Sequence, residues 1–164
     1  MTTHLYKAAQ KRFLIKVYPS LGHIDTAIKF MVQNDANLMQ ISILGKAVAT
    51  NKTTPKKLNK IKLDIKEQLS LGLRKNIECG YFKNPDIGVI FIAGHLTNIF
   101  LYLLDKKKLA SLPAGLKGIF QGLQVDREHI ISYLTHLKNQ RFLLIIRGEQ
   151  STLVIIDQLL HQAD

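Results

Sequence analysis

The side chains that carry out chemistry in proteins are thinly spread in this chain. Two histidines on a helix bind one metal ion when they stand three or four positions apart, and no pair here has that spacing. His129 and His136 share a predicted helix face but stand about 10 Å apart along it. We therefore expect ordinary surface or half-buried histidines at all six positions: His4, His23, His95, His129, His136 and His161.

The sequence shows no sign of nucleophilic catalysis. Such a site needs a Ser, Cys or Thr beside a base and an oxyanion hole. Cys79, the single cysteine, stands next to Glu78, whose negative charge disfavours a thiolate. The acids Asp126, Glu128 and Asp157 fall at predicted helix caps or exposed helix positions. The sequence therefore predicts no catalytic residue, no metal, no cofactor and a non-enzymatic protein.

Positive charge is the most pronounced feature of the composition. Lys and Arg number 23 and Asp and Glu 12, a formal net charge of +11. Ten basic but only three acidic residues lie between Lys46 and Lys83. A field of one sign attracts acidic protein faces, anionic lipid and nucleic acid, although lysines that merely solvate the surface give the same excess. The candidate contact residues are Lys56, Lys57, Lys60, Lys62, Lys106, Lys107 and Lys108.

The elements that would position these side chains begin with a β-α-β pattern. Residues 13–18 are rich in β-forming side chains and end at Pro19. Ser20 is a typical helix cap, and apolar residues from Leu21 to Val32 recur at helical spacing. Alternating apolar residues over 39–44 then predict a second strand.

The Lys-rich stretch that follows fits two structures. Thr54 before Pro55 is a good helix start, and Leu58, Ile61 and Ile65 share a helical face. Residues 60–65 also alternate as a half-buried strand does. We expect a short strand near 60–65 that leads into a helix from about Glu67.

Residues 87–104 form an uncharged run of 18 residues. As a helix the run measures about 27 Å, just under the thickness of a bilayer core. We expect a buried helical hairpin formed by this run and a second helix that ends near Leu123, with membrane insertion as the less favoured alternative. The apolar side chains expected to contact a partner are Ile90, Phe91, Ile92, Ile99, Phe100 and Leu103.

The C-terminal part predicts α-β-α. Asp126 is placed to cap a helix whose buried stripe includes Ile130, Ile131, Leu134 and Leu137. The apolar run 142–147 is typical of a central strand. Ser151 is expected to cap a last helix. The whole chain, 1–164, is thus predicted to be a single α+β domain, a ferredoxin-like small sheet with helices on one face and an inserted segment at about 52–123.

Three segments resemble a bacterial domain family of unknown function, found in 17M-type general stress proteins and in heat- or low-temperature-induced proteins. Their motifs are Ile41-Ser42-Ile43-Leu44-Gly45-Lys46 after the first helix, Pro85-Asp86-Ile87-Gly88-Val89, and Gly122-Leu123-Gln124-Val125-Asp126 followed by Tyr133 and the apolar strand. The resemblance covers most of the chain and implies a fold but no enzymatic activity. One departure is that the first half of the family's Gly/Ala-rich apolar hairpin is replaced here by the Lys-rich 52–83 segment.

Three functions remain open on the sequence. The first is a structural or regulatory interaction domain that binds itself as a homodimer or joins a larger assembly, with an anionic membrane surface as one place for that assembly. The second is a nucleic-acid-binding module that uses the lysines, and the third is a small-ligand sensor that binds an anion near a helix start at Ser20 or Ser151. A single cysteine and the lack of an apolar leader predict a cytoplasmic protein, with a location peripheral to the inner membrane as the alternative.

Overall fold

The computed structural model describes residues 11–33, 40–48, 52–69 and 77–163. The predictions made for His4 and Met39 lie outside them. The strands are β1 (Lys11–Tyr18), β2 (Gln40–Lys46), β3 (Cys79–Asn84), β4 (Gly88–Gly94), β5 (Leu103–Leu104), β6 (Lys107–Lys108) and β7 (Phe142–Glu149). The helices are α1 (Leu21–Gln33), α2 (Pro55–Leu69), α3 (Thr97–Phe100), α4 (Gly115–Gly122), α5 (Arg127–Lys138) and α6 (Gln150–Ala163), with a 3₁₀ turn at Leu109–Ser111.

Five strands form one antiparallel sheet in the order β1-β7-β2-β4-β3. Strands β1 and β2 run in the same direction with β7 between them, so that β1, α1 and β2 form a split β-α-β unit. The α+β class is confirmed, and the predicted strand at 142–147 is confirmed as a central strand. It is buried on both faces because its apolar run alternates between two cores.

Helices cover both faces of the sheet, so the prediction of helices on one face is wrong. The first core lies between the sheet and α1, α2 and α6, and includes Ile28, Ile43 and Leu144. The second core lies between the sheet and α3, α4 and α5, and includes Phe100, Phe120 and Leu143. Alternate strand residues therefore enter different cores, as the two-residue period of a strand requires.

The Lys-rich stretch forms a helix and not the expected strand at 60–65. The hydroxyl of Thr54 accepts a hydrogen bond from the backbone N–H of Lys57 (3.3 Å), which caps α2. Leu58 and Ile65 are buried in the first core, whereas Leu63 is 61% exposed. The structure is helical here because Leu58, Ile61 and Ile65 share the face that packs in the first core.

The uncharged 87–104 run is not a helix either. Its first part is β4, whose residues from Val89 to Ala93 are buried on both faces. Gly94 has φ +103°, and a Cβ there would collide with the backbone of Ile41, so the strand ends in a turn that only glycine permits. The run continues as the single turn α3 and as β5. A continuous apolar run does not distinguish a buried strand from a buried helix, which explains the error.

The elements predicted after the 87–104 run are largely confirmed. Helix α4 ends beside Leu123, and the Asp126 carboxylate caps α5 by accepting a hydrogen bond from the His129 N–H (3.0 Å). Ile130 and Leu137 are buried, but Ile131 is 54% exposed, so its predicted burial is wrong. The buried face of α5 is narrower than the apolar stripe of its sequence.

Candidate functional site

The reactive side chains stay apart in the fold. Within the described residues, no three of the His, Cys, Asp and Glu side chains converge on a position that could hold a metal ion. His23 Nδ1 lies 2.6 Å from Ser20 Oγ, and His129 Nδ1 lies 2.6 Å from an Asp126 oxygen. Both are contacts within one helix start. Cys79 is half-buried on β3 against the first core.

The proposed anion positions at helix starts have protein partners or lie inside a helix. The Ser20 hydroxyl accepts the backbone N–H of His23 (3.2 Å), so it caps its own helix. Ser151 is the second residue of α6, which begins at Gln150, so the predicted cap is wrong and the cap position is Glu149. Neither position presents a built site for an anion.

One lysine from each of the two predicted groups lies near the other, Lys62 of α2 and Lys108 of β6. Lys56, Lys57 and Lys60 are exposed on α2, and Lys106 and Lys107 are exposed on the β5–β6 hairpin. Lys62 of α2 lies close enough to Lys108 of β6 to affect its ionisation. Burial, and secondly the charge of Lys62, lower the pKa of Lys108 below its ordinary value. These groups are more than 40 positions apart in the sequence.

Lys108 lies across the edge of the sheet. Its ammonium donates a hydrogen bond to the backbone oxygen of Tyr81 (2.5 Å) and lies 4.6 Å from the centre of the Tyr81 ring. Tyr81 belongs to β3, the outermost strand, so its carbonyl faces away from β4. A lysine on an edge strand hinders pairing with a further strand. Lys108 therefore protects the β3 edge from pairing with a further strand, in addition to carrying a positive charge.

The candidate apolar contacts divide into core and surface residues. Ile90, Phe91, Ile92 and Phe100 are at most 4% exposed and are covered by the protein's own side chains. Of the six predicted contact residues, Ile99 (45% exposed) and Leu103 (60% exposed) are accessible to a partner. A buried strand hides its apolar residues on both faces, whereas the expected hairpin helix would have shown one face.

The sequence reasoning missed the two exposed neighbours of Leu103. Tyr102 is 61% and Leu104 is 47% exposed. Leu103 pairs with Lys108 and Leu104 with Lys107 across a two-residue turn at Asp105-Lys106, where both residues have positive φ. We call Tyr102, Leu103, Leu104, Lys106 and Lys107 the hairpin surface. It combines apolar and cationic side chains that all meet solvent.

A cavity of about 510 Å³ lies at another place, where β1 and β2 begin and β4 and β7 end. It is lined by Arg12, Arg147 and His95 together with apolar side chains such as Phe13 and Leu96. The sequence reasoning assigned no role to either arginine. Because they lie near opposite ends of the chain, only the pairing of β1 with β7 brings them to one site.

In the described part of the chain, no helix has both the length and the apolar character needed to cross a membrane. Comparison of the sequence with protein-family models found no match. Comparisons with curated proteins and with solved structures likewise found none.

Proposed function

We propose that this protein is a non-enzymatic interaction domain that binds an acidic face of a partner protein through the hairpin surface. The observation that supports it is that Leu103 and Leu104 are exposed on the same hairpin as the exposed Lys106 and Lys107. A patch of apolar residues rimmed by charge is typical of a docking surface. The lysines provide attraction over distance, and the apolar side chains provide area to bury.

The charge of the surface favours a different protein over a second copy of this chain. A twofold symmetric contact places the same patch on both partners. Lys106 and Lys107 would then approach the same lysines of the other copy, at a cost in repulsion. Pairing through the β3 edge is hindered by Lys108. A homodimer through this side of the sheet is therefore the less favoured form of the proposal.

The hairpin tip favours protein over lipid or nucleic acid. Asp105 stands at the turn between Leu104 and Lys106, so the tip carries charges of both signs, which a protein face can match pair by pair and a uniformly anionic bilayer or phosphate backbone does not. Leu103 and Leu104 are aliphatic and do not stack on bases, so Tyr102 is the one aromatic ring of the hairpin surface. Mixed charge around apolar residues suits a complementary protein surface.

A photo-reactive benzophenone amino acid at position 103, introduced in native cells, tests the proposal. We expect a crosslink to one acidic protein, and no such crosslink from position 154, where Val154 is similarly exposed (52%) on α6. The double variant Lys106→Glu/Lys107→Glu should abolish the crosslink. The variant Lys117→Glu/Lys138→Glu makes the same change in net charge on α4 and α5, and should retain it.

Three further results would overturn the proposal. Flotation of the protein with anionic vesicles that is lost in Lys106→Glu/Lys107→Glu would identify a lipid surface as the partner. A salt-sensitive gel shift with DNA or RNA lost in the same variant would identify a nucleic acid. Equal crosslinking from positions 103 and 154 would show that the hairpin surface is not a docking site.

Three finer predictions remain proposals: the ferredoxin-like relationship, the family resemblance and the location. The split β-α-β unit supports a ferredoxin-like relationship, although β3 and β4 extend the sheet on one side only. The resemblance to the stress-protein family stays a prediction, as does a cytoplasmic location peripheral to the inner membrane. Cell fractionation, with the native protein followed by antibody, tests the location directly.

A further inference from the structure

We infer that the cavity lined by Arg12 and Arg147 is a binding site for a small organic anion, a carboxylate or phosphate carried on an apolar body. This inference is independent of the hairpin surface. The cavity of about 510 Å³ lies within the range of about 300–1,000 Å³ that is typical of small-molecule sites.

The two guanidinium groups are oriented by neutral partners. Arg12 Nη1 donates a hydrogen bond to the side-chain oxygen of Gln124 (2.9 Å), and Arg147 Nη1 donates one to that of Gln40 (2.7 Å). An amide oxygen fixes the direction of a guanidinium but leaves its full positive charge. Among the described residues, no carboxylate forms an ion pair with either arginine. A carboxylate or phosphate would supply the missing charge, and the guanidinium fork suits both groups.

The register of the sheet brings the cationic groups to one place. Arg147 stands directly between Phe13 of β1 and Gln40 of β2, its cross-strand neighbours. Arg12 is the neighbour of Phe13 along β1. His95 follows β4 at the same end of the sheet, and its backbone N–H is bound to the Ile41 oxygen (3.0 Å). Cationic or protonatable side chains from two strands and one turn thus line a single cavity.

The remaining wall is apolar and rigid. Leu96 and Leu123 are buried, and the Leu96 backbone N–H is bound to the hydroxyl of Ser42 (2.8 Å). Ile99 is partly exposed and lines the same cavity. A ligand with an anionic head and a short apolar body would therefore place its head at the arginines and its body against Phe13, Leu96 and Ile99.

Octanoate and octyl phosphate are suitable probes, with 1-octanol as the uncharged control. We expect calorimetry to show saturable binding of one or both anions to the full-length protein, and no comparable binding of 1-octanol. Arg147→Gln and Arg12→Gln should each weaken binding by about tenfold or more, because each removes a charge-assisted contact. The ratio of the two affinities indicates whether a carboxylate or a phosphate is preferred.

Arg141 provides a matched control for Arg147. Arg141 is exposed just before β7, at the opposite end of the sheet, so Arg141→Gln should bind the probes as the native protein does. Arg147→Lys keeps the charge but loses the planar fork, and should bind more weakly than the native protein but more tightly than Arg147→Gln. Circular dichroism confirms that each variant is folded before binding is compared.

The position of the ligand is checked by methyl NMR. Bound octanoate should shift the methyl signals of Leu96, Ile99 and Leu123. The inference is overturned if neither anion binds at millimolar concentration. It is also overturned if Arg147→Gln and Arg12→Gln bind as tightly as Arg141→Gln, or if the shifts occur at the hairpin surface instead.

Discussion

The protein holds positive charge in two different ways at two places. At the hairpin surface, Lys106 and Lys107 are exposed on flexible side chains, and beside it Lys62 and Lys108 repel one another. At the cavity, Arg12 and Arg147 are each held by a glutamine amide. Lysine is a mobile, strongly hydrated charge, whereas arginine is a planar group that recognises one geometry.

This difference separates attraction from recognition. Exposed lysines raise the rate of encounter with any acidic surface, and their contribution falls as salt increases. Two oriented guanidiniums in a cavity select a ligand by shape and charge together. The hairpin surface therefore suits a large partner, and the cavity suits a small one. The following predictions test the comparison, beginning with the largest effect.

The turn at Gly94, directly before His95 of the cavity, should be the position where a substitution lowers the stability of the protein most. Gly94→Ala should destabilise the protein by about 3 kcal/mol or more, since an added Cβ collides with the backbone of Ile41 and the residue has φ +103°. Urea denaturation measures the change. Gly118→Ala is the control: a Cβ there meets no atom within 4 Å, so a gain of about 0.5–1 kcal/mol is expected from helix propensity. Equal stability of the two variants would contradict the account of this turn.

Replacing a glutamine that binds an arginine of the cavity with glutamate should neutralise that arginine by forming an ion pair. Gln40→Glu places a negative charge beside Arg147, so affinity for octanoate should fall by about tenfold, or about 1.4 kcal/mol. Calorimetry measures the loss. Gln158→Glu makes the same change on the exposed side of α6 and should bind normally. If Gln40→Glu binds octanoate as well as Gln158→Glu does, the charge of Arg147 is not what the ligand meets.

Beside the hairpin surface, replacing Lys108 should have a different effect on self-association from replacing its exposed neighbour Lys107. Lys108→Met removes the donor to the Tyr81 oxygen and opens the β3 edge, so we expect a loss of about 1 kcal/mol and self-association that rises with concentration. Sedimentation velocity measures the association. Lys107→Met, on the exposed neighbour, should remain as monomeric as the native protein. If the two variants sediment alike, the edge is protected by something other than Lys108.

The repulsion between Lys62 and Lys108 should be the smallest effect. Lys62→Gln should raise the pKa of Lys108, which NMR titration of its side chain detects, and Lys60→Gln should leave it unchanged. The pKa of Lys108 is lowered in the folded protein, so the unfolded chain binds more protons between that pKa and 10.5. Stability should therefore rise with pH through this window, and less steeply in Lys62→Gln. Because Lys108 is only partly buried and solvent screens its interaction with Lys62, the gain should be at most a few tenths of a kcal/mol.

Local signals in the sequence were sufficient for much of the fold. The caps at Ser20, Thr54 and Asp126 mark helix starts because each side chain bonds a backbone N–H only three residues away. The apolar strand at 142–147 is continuous because both its faces are buried. Such features depend on neighbours in the chain and are visible without coordinates.

The candidate sites depended on contacts between distant segments. Nothing local distinguishes β4 from a buried helix, because both are continuous apolar runs, and the error hid the exposed Tyr102 and Leu104. Arg12 and Arg147 meet because β1 pairs with β7, and the register of that pair places Phe13 opposite Arg147. Spacing along the chain carries no information on such a register.

The sequence alone specified a basic α+β chain with lysine-rich and apolar segments, since composition and short-range periodicity are properties of the chain itself. The tertiary structure decided which of those side chains remain at the surface and which charges share a neighbourhood. The physical reason is that burial and electrostatic coupling act through space, and antiparallel pairing joins residues far apart in sequence.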